Sequence, residues 1–150
     1  MNIAPQFSIF MVNKPGILAK ALGEFAAKRI NIVAMTMMDS AEHGVMRVIF
    51  DDGERAKEVL SEMNMPFNQT DVLMVTLTNK SGALATIVEK LSKNHINISY
   101  AYCTAGARGG KTTGVLKVAD VKKAMKILEN AEKKMSKDAK AVRRPNAARA

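Results

Sequence analysis

Apolar residues recur at alternate positions near the start of the chain, which predicts a β-strand with one core-facing side. Phe7, Ile9 and Met11 make up this side, and residues 73–77 repeat the alternation with Leu, Val and Leu. After each strand the apolar spacing changes to three and four residues, which predicts a helix. The helical positions are Leu18, Ala21, Leu22 and Phe25, and later Leu84, Ile87, Val88 and Leu91.

These two strand–helix segments belong to an internal repeat. Residues 13–32 (NKPGILAKALGEFAAKRINI) align with residues 79–98 (NKSGALATIVEKLSKNHINI) without a gap, at an offset of 66, and 8 of the 20 positions are identical. Further strands are predicted over 31–38 and 45–50, and over 97–104 and 114–118. A second helix is predicted in each copy, with apolar faces at Ala56, Val59, Leu60 and Met63, and at Val121, Ala124, Leu128 and Ala131.

Each copy therefore has the order β-α-β-β-α, and a short strand over 67–71 closes the first. The predicted fold class is α+β, with two ferredoxin-like (βαββαβ) units packed as one body, antiparallel sheets and helices on one face. Unit 1 spans residues 1–70 and unit 2 spans residues 71–132. We expect 133–150 to be a basic, flexible tail. Because this tail begins where a last strand would stand, no such strand is predicted for unit 2.

Composition narrows the class of protein and excludes several kinds of site. The chain is 47% hydrophobic and 25% charged, as in soluble globular proteins. Its net charge of +9 is concentrated in the tail, which we interpret as a solvated end rather than a nucleic-acid site. Cys103 is the only cysteine, and His43 and His95 lack metal-ligand spacing, so no metal or cofactor is expected. No leader or membrane-length apolar run occurs, which predicts a cytoplasmic protein that does not bind membranes.

The segment TAGARGGKTTG at 104–114 resembles a relaxed phosphate-binding loop. Such a loop has to join a strand to a helix, because the helix N-terminus holds the phosphates. Residues after Lys111 are β-branched and include a glycine, which predicts a strand. The segment is therefore interpreted as a hairpin tip, where Arg108 and Lys111 remain available for an acidic group on a partner.

The duplicated turn is the better candidate for a binding site. Gly16 and Gly82 stand where helices begin, and free backbone N–H groups at such positions attract a small carboxylate. Asn13 and Asn79 end the preceding strands, and an amide side chain accepts from an ammonium or donates to a carboxylate. The same Asn-x-x-Gly pattern also serves ordinary turns and helix caps, so the residues alone leave both interpretations open.

Both copies of this turn resemble the opening of an ACT domain, with its strand, (Asp/Asn)-x-Pro-Gly turn, helix and Asn-Ile exit. The resemblance covers roughly residues 7–131 and is closest to small tandem ACT proteins without a catalytic domain. It implies an amino-acid ligand between two ACT units, at the first turn of one and the second strand of its neighbour. Two departures are Asn13 in place of the common Asp, and Ser81 in place of Pro. The implied ligand-binding residues are Asn13, Pro15, Gly16, Ile17, Leu18, Asn31, Ile32, Asn79, Gly82, Ala83, Leu84, Asn97 and Ile98.

We therefore expect a non-catalytic regulatory module that binds an amino acid, forms a homodimer and acts on a regulated enzyme. The apolar second face of the first strand, with Phe10 and Val12, supports the dimer. The alternative is an ACT-like scaffold that binds no ligand and docks on an enzyme. It includes a relationship to the small regulatory subunit of acetohydroxy-acid synthase, which also resembles an ACT protein but has one such domain where this chain has two. We do not expect an enzyme, because no nucleophile–base pair and no pair of carboxylates is evident in the sequence.

Overall fold

The computed structural model describes residues 1–38, 43–104 and 110–142. This part of the chain contains the strands and helices of two similar units, joined without a linker. The elements are β1 (Asn2–Val12), α1 (Ile17–Ala27), β2 (Ile32–Met38), β3 (His43–Phe50), α2 (Gly53–Glu62), β4 (Phe67–Thr78), α3 (Ala83–Lys93), β5 (Ile98–Cys103), β6 (Lys111–Val118) and α4 (Val121–Val142). The predicted α+β fold with two ferredoxin-like units is confirmed.

The strands form a single antiparallel sheet in the order β2-β3-β1-β4-β6-β5. Its centre is the pairing of β1 with β4, the two strands that the repeat makes equivalent. Pro5 lies opposite Asp71 in this pairing, and these two residues are themselves related by the offset of 66. The units are therefore related by an approximate twofold axis through the middle of one continuous sheet.

The central strands are shared between the units, which differs from the predicted boundary at residue 70. A short strand over 67–71 was expected to end unit 1, but β4 runs without a break from Phe67 to Thr78. Its first half pairs with β1 and its second half with β6. The N-terminal end of β1 occupies the corresponding place beside unit 2, where Ile3 packs into the second core. The N-terminal end of β1 thus takes the position of the last strand that the unit 2 sequence lacks.

Helices cover one face of the sheet and form two hydrophobic cores with it. Alternating residues of β1 and β4 supply the sheet side of each core, as their periodicity predicts. Phe25 on α1 and Leu60 on α2 close the first core, and Leu91 on α3 and Leu128 on α4 close the second. Asp52 caps α2 because its side chain accepts from the Arg55 N–H at 3.1 Å.

The other face of the sheet carries a third cluster of buried residues, although no described helix packs on it. Val72 and Val115 are fully buried there. Tyr100 on edge strand β5 contacts Gln6 on β1 and Arg47 on β3. In a flat sheet β5 and β3 would lie about 19 Å apart, at roughly 4.8 Å per strand. The sheet is therefore strongly curved, and this helix-free face is its concave side.

Helix α4 extends past the predicted start of the tail at residue 133. It continues to Val142, because the sequence after Leu128 consists mainly of Lys, Ala, Glu and Met, which favour helices. Residues 132–140 are exposed, so this part of the helix protrudes beyond the second core. Residues 143–150 of the predicted tail lie outside the described residues.

Candidate functional site

The two predicted turns have nearly identical backbone geometry. Gly16 has φ +86° and Gly82 has φ +85°, both in the left-handed region. A residue with a Cβ is strained there, which explains why both copies place glycine at this point. Asn13 and Asn79 directly follow β1 and β4, as the sequence predicts. Helices α1 and α3 begin at the next residue after each glycine.

Neither Gly16 nor Gly82 has a side chain to cap its helix, and no cap from another described side chain is seen. The first helical N–H of α1, from Ile17, makes only a long bond of 3.4 Å to the Lys14 carbonyl, and Ala83 bonds the Lys80 carbonyl at 3.2 Å. In the described part of the chain the N–H groups of Leu18 and Ala19 have no acceptor, nor have those of their equivalents in α3. Each turn therefore presents unsatisfied donors at the positive end of a helix dipole.

Hydrogen bonds connect the second turn to its surroundings. The Asn79 N–H donates to the Gly110 carbonyl at 2.7 Å, which ties this turn to the end of the β5–β6 hairpin. The Thr86 hydroxyl also donates to the Gly82 carbonyl at 3.0 Å. Pro15 restricts the backbone of the first turn, and Ser81 stands in its place in the second. Hydrogen bonds thus provide restraint where the proline is missing.

Within one chain the two turns lie far apart. Strands β1 and β4 are antiparallel, with Asn2 opposite Met74, so the turns that follow them leave opposite ends of the sheet. The ends of these strands, Val12 and Thr78, are separated by about 14 residues, or roughly 46 Å along the sheet at about 3.3 Å per residue. The described chain does not place the second unit beside the turn of the first.

The Asn-Ile positions also lie away from the turns. Ile32 pairs with Phe50, whereas Val12 pairs with His43, so about seven residues of β3, roughly 23 Å, separate the Asn31 end from the turn. The Asn31 N–H donates to Asp51 Oδ1 at 2.9 Å. Asn97 and Ile98 take the equivalent place in unit 2, because Ile98 pairs with Val118 and Thr78 with Lys111. In a single chain, therefore, the predicted site residues lie close to one another only within each turn, over 13–18 in the first and over 79–84 in the second.

Exposed apolar side chains lie on the edge strand and on α3. On the edge strand β2, Val33, Met35 and Met37 are each at least 40% exposed. On α3, Leu84 and Val88 are exposed, although their spacing predicts a core position. Of the four apolar positions that the spacing predicts for the core side of α3, Leu91 is buried and Ile87 is partly buried against the second core. Apolar surface of this kind is typical of contacts between proteins.

A polar cluster on the concave face was not predicted from the sequence. Gln6 is fully buried, and its amide donates to the Tyr100 hydroxyl at 2.6 Å and accepts from the Tyr102 hydroxyl at 2.9 Å. The Arg47 guanidinium lies 3.9 Å from the centre of the Tyr100 ring. Burial and the neighbouring Tyr100 raise the pKa of Tyr102, while Arg47 opposes the rise. Sequence offered no signal, because these residues come from strands far apart in the chain.

Other kinds of site receive no support from the described residues. They contain no group of three or more His, Cys, Asp or Glu side chains that could hold a metal ion. None of their helices has the length and hydropathy to cross a membrane. Lys111 begins strand β6, which confirms the predicted strand and removes the helix that a phosphate-binding loop needs. Arg108, which is predicted to lie at the hairpin tip, is outside the described residues.

Comparison with known proteins points to one family. The family model described as an ACT domain pair matches residues 1–141. Protein BT0572 from Bacteroides thetaiotaomicron is similar in structure, with 29% identity, a TM-score of 0.81, and 87% of this chain and 89% of that chain covered. The ligand-free regulatory subunit of aspartate kinase from Thermus thermophilus shares the fold, with 13% identity, a TM-score of 0.62, and coverage of 87% and 97%. None of the curated proteins compared with the chain matches it significantly.

Proposed function

Because the chain belongs to the family of ACT domain pairs, we propose that it is a non-catalytic regulatory module that binds an amino acid at its glycine turns. The observation that supports this proposal most directly is the pair of uncapped helix N-termini after Gly16 and Gly82. Their free N–H groups suit the carboxylate of an amino acid. Asn13 and Asn79 stand just before these turns, and an amide oxygen is an acceptor that suits the ammonium group.

A second copy of the chain completes the site in this proposal. The ACT resemblance implies a ligand between the turn of one unit and the second strand of a neighbour, yet in the described chain the second strand of the other unit lies beside neither turn. Strands β2 and β5 are the two sheet edges, and each has one side that pairs with no described strand. We therefore propose a homodimer in which an edge strand of one copy lies against a turn of the other. The exposed Met35 and Met37 on β2 support this contact.

The amino acid would regulate by favouring one assembled state over another. A ligand shifts an equilibrium only through a difference in affinity between the two states, and a site at a copy–copy interface provides such a difference. The likeness in fold to a regulatory subunit of aspartate kinase supports a partner enzyme as the regulated target. Binding of the amino acid can be measured on this chain without that enzyme.

The proposal is tested with a thermal-shift panel of the twenty amino acids. A ligand that binds only the folded state adds about 2.7 kcal/mol at 100 times its dissociation constant, which gives a clear rise in melting temperature. Ala19 and Ala85 are equivalent exposed positions in the first turns of α1 and α3. Ala19→Pro and Ala85→Pro each remove one free N–H at a place in the helix where proline is tolerated. Ala19→Ser and Ala85→Ser, which keep the N–H, are the matched controls.

We expect one amino acid to stabilise the protein, the proline variants to weaken that effect at least about tenfold, and the serine variants to keep it. Tested singly, the two proline variants show which turn binds. No response to any amino acid would contradict the proposal and favour a ligand-free scaffold. Light scattering measures the oligomeric state separately. Met37→Lys places a charge on the β2 edge, and this variant is expected to be monomeric. A wild-type protein that is monomeric with and without the amino acid would refute the interface.

A further inference from the structure

The concave, helix-free face of the sheet carries a second candidate site, about which the family resemblance says nothing. It consists of the side chains of Gln6, Arg47, Thr70, Tyr100, Tyr102 and Lys117, all buried or half-buried. Lys117 lies opposite Tyr100 in the β5–β6 register, and its Nζ donates to the Thr70 hydroxyl at 2.7 Å. Thr70 in turn lies opposite Gln6 in the β1–β4 register. The six side chains therefore form one continuous cluster, which we call the concave cluster.

Hydrogen-bond donors exceed acceptors in the concave cluster. Gln6 has one donor group and one acceptor group directed at two tyrosine hydroxyls, so one hydroxyl donates to it and the other accepts from it. The accepting hydroxyl keeps a proton for which the described residues provide no acceptor. This count is the same whichever way the Gln6 amide is turned. The Arg47 Nε is buried and likewise has no partner among these residues.

Positive charge in the concave cluster is also unbalanced. The guanidinium of Arg47 contacts the Tyr100 ring and donates to Met38 Sδ, a weak acceptor. Lys117 contacts a neutral hydroxyl. Within the described ranges neither cation forms an ion pair with a carboxylate, whereas Lys28 and Lys57 do. Half-buried cations without a counter-charge are costly, and an anion with several acceptor oxygens would satisfy both charge and donors.

We propose that the concave cluster binds a small dianion that carries a phosphate group or two carboxylates. Arg47 and Lys117 supply the two positive charges, and the leftover tyrosine hydroxyl donates to a further oxygen. This site is distinct from the glycine turns. It lies on the concave face of the sheet, whereas the turns lead into helices α1 and α3, which cover the opposite face. The two sites can therefore be occupied and disrupted independently.

Intrinsic fluorescence reports on the concave cluster without a label. The chain has two tyrosines and no tryptophan, and both tyrosines lie in the cluster. Sodium phosphate and sodium succinate are each titrated into the protein, with sodium chloride of equal ionic strength as the reference. We expect a saturable change in tyrosine emission with one or both anions. The anion that acts distinguishes a phosphate from a dicarboxylate ligand.

Three substitutions separate a built site from general attraction to a basic protein. Lys117→Gln should weaken the response at least about tenfold, because it removes a charge-assisted donor from a partly buried site. Arg47→Lys should do the same, because it replaces the planar guanidinium and its paired donors by a single ammonium group. Lys126→Gln removes an exposed charge on α4 and should leave it unchanged. Ala19→Pro should also leave it unchanged, which keeps this result independent of the amino-acid site. Equal losses in Lys117→Gln and Lys126→Gln, or no response beyond chloride, would overturn the proposal.

Discussion

The hydrogen bond between Tyr102 and Gln6 allows a quantitative test of the concave face. Gln6 is 0% exposed and its Oε1 accepts from the Tyr102 hydroxyl at 2.9 Å. The substitution Tyr102→Phe removes that donor and leaves a buried amide group without a partner. Turning the amide does not help, because one of its two ends then still faces the phenylalanine. An unsatisfied buried polar group costs about 1–3 kcal/mol.

This cost should disappear when the buried amide is absent. In the variant Gln6→Leu the tyrosine hydroxyls lose their partner, but both are half-buried and can bond water. Adding Tyr102→Phe to Gln6→Leu should therefore cost less than about 0.5 kcal/mol, like a change at the surface. The double-mutant cycle is expected to give a coupling energy of about 1 kcal/mol or more.

Urea unfolding of the four proteins measures the cycle. The free energy of unfolding should fall in Tyr102→Phe while the slope against urea stays constant, since the exposed surface hardly changes. The melting temperature should fall by about 2–4 °C for each kcal/mol in a protein of this size. Equal costs of Tyr102→Phe in both backgrounds, or a cost near zero in the wild type, would refute the described network.

Three further predictions follow from the structure. The pKa of Tyr102 should lie above the ordinary tyrosine value of about 10, so its tyrosinate absorbance should appear only at higher pH, and Arg47→Gln should raise that pH further. The free energy of unfolding should fall as pH rises above about 10, since the unfolded chain then loses a proton that the folded chain keeps. Ile3→Ala should lower hydrogen-exchange protection in β6 more than in β3, because Ile3 packs into the second core; equal loss in both would contradict the shared strand. Asp52→Ala should cost about 1 kcal/mol in urea unfolding, and Asp52→Asn, which can still accept from Arg55, much less.

Much of the fold could be predicted because it depends on local periodicity and on repetition. The alternation around Ile9 and the helical spacing around Phe25 each identify an element and its buried side. Leu84 and Val88 show where periodicity alone is insufficient, because spacing identifies an apolar face but not whether a neighbour covers it. The glycine turns were equally visible, since a left-handed residue before a helix favours glycine whatever its surroundings.

The two units, their elements and their twin turns could thus be derived from local patterns along the chain. Strand pairing was needed to show that β4 is one strand shared by both units and that the turns leave opposite ends of the sheet. Only the folded chain brings Gln6, Arg47 and the two tyrosines together. Secondary structure follows from interactions between near neighbours in the chain. Strand order and sheet curvature follow instead from contacts between distant residues, such as Gln6 and Tyr102, which are 96 positions apart.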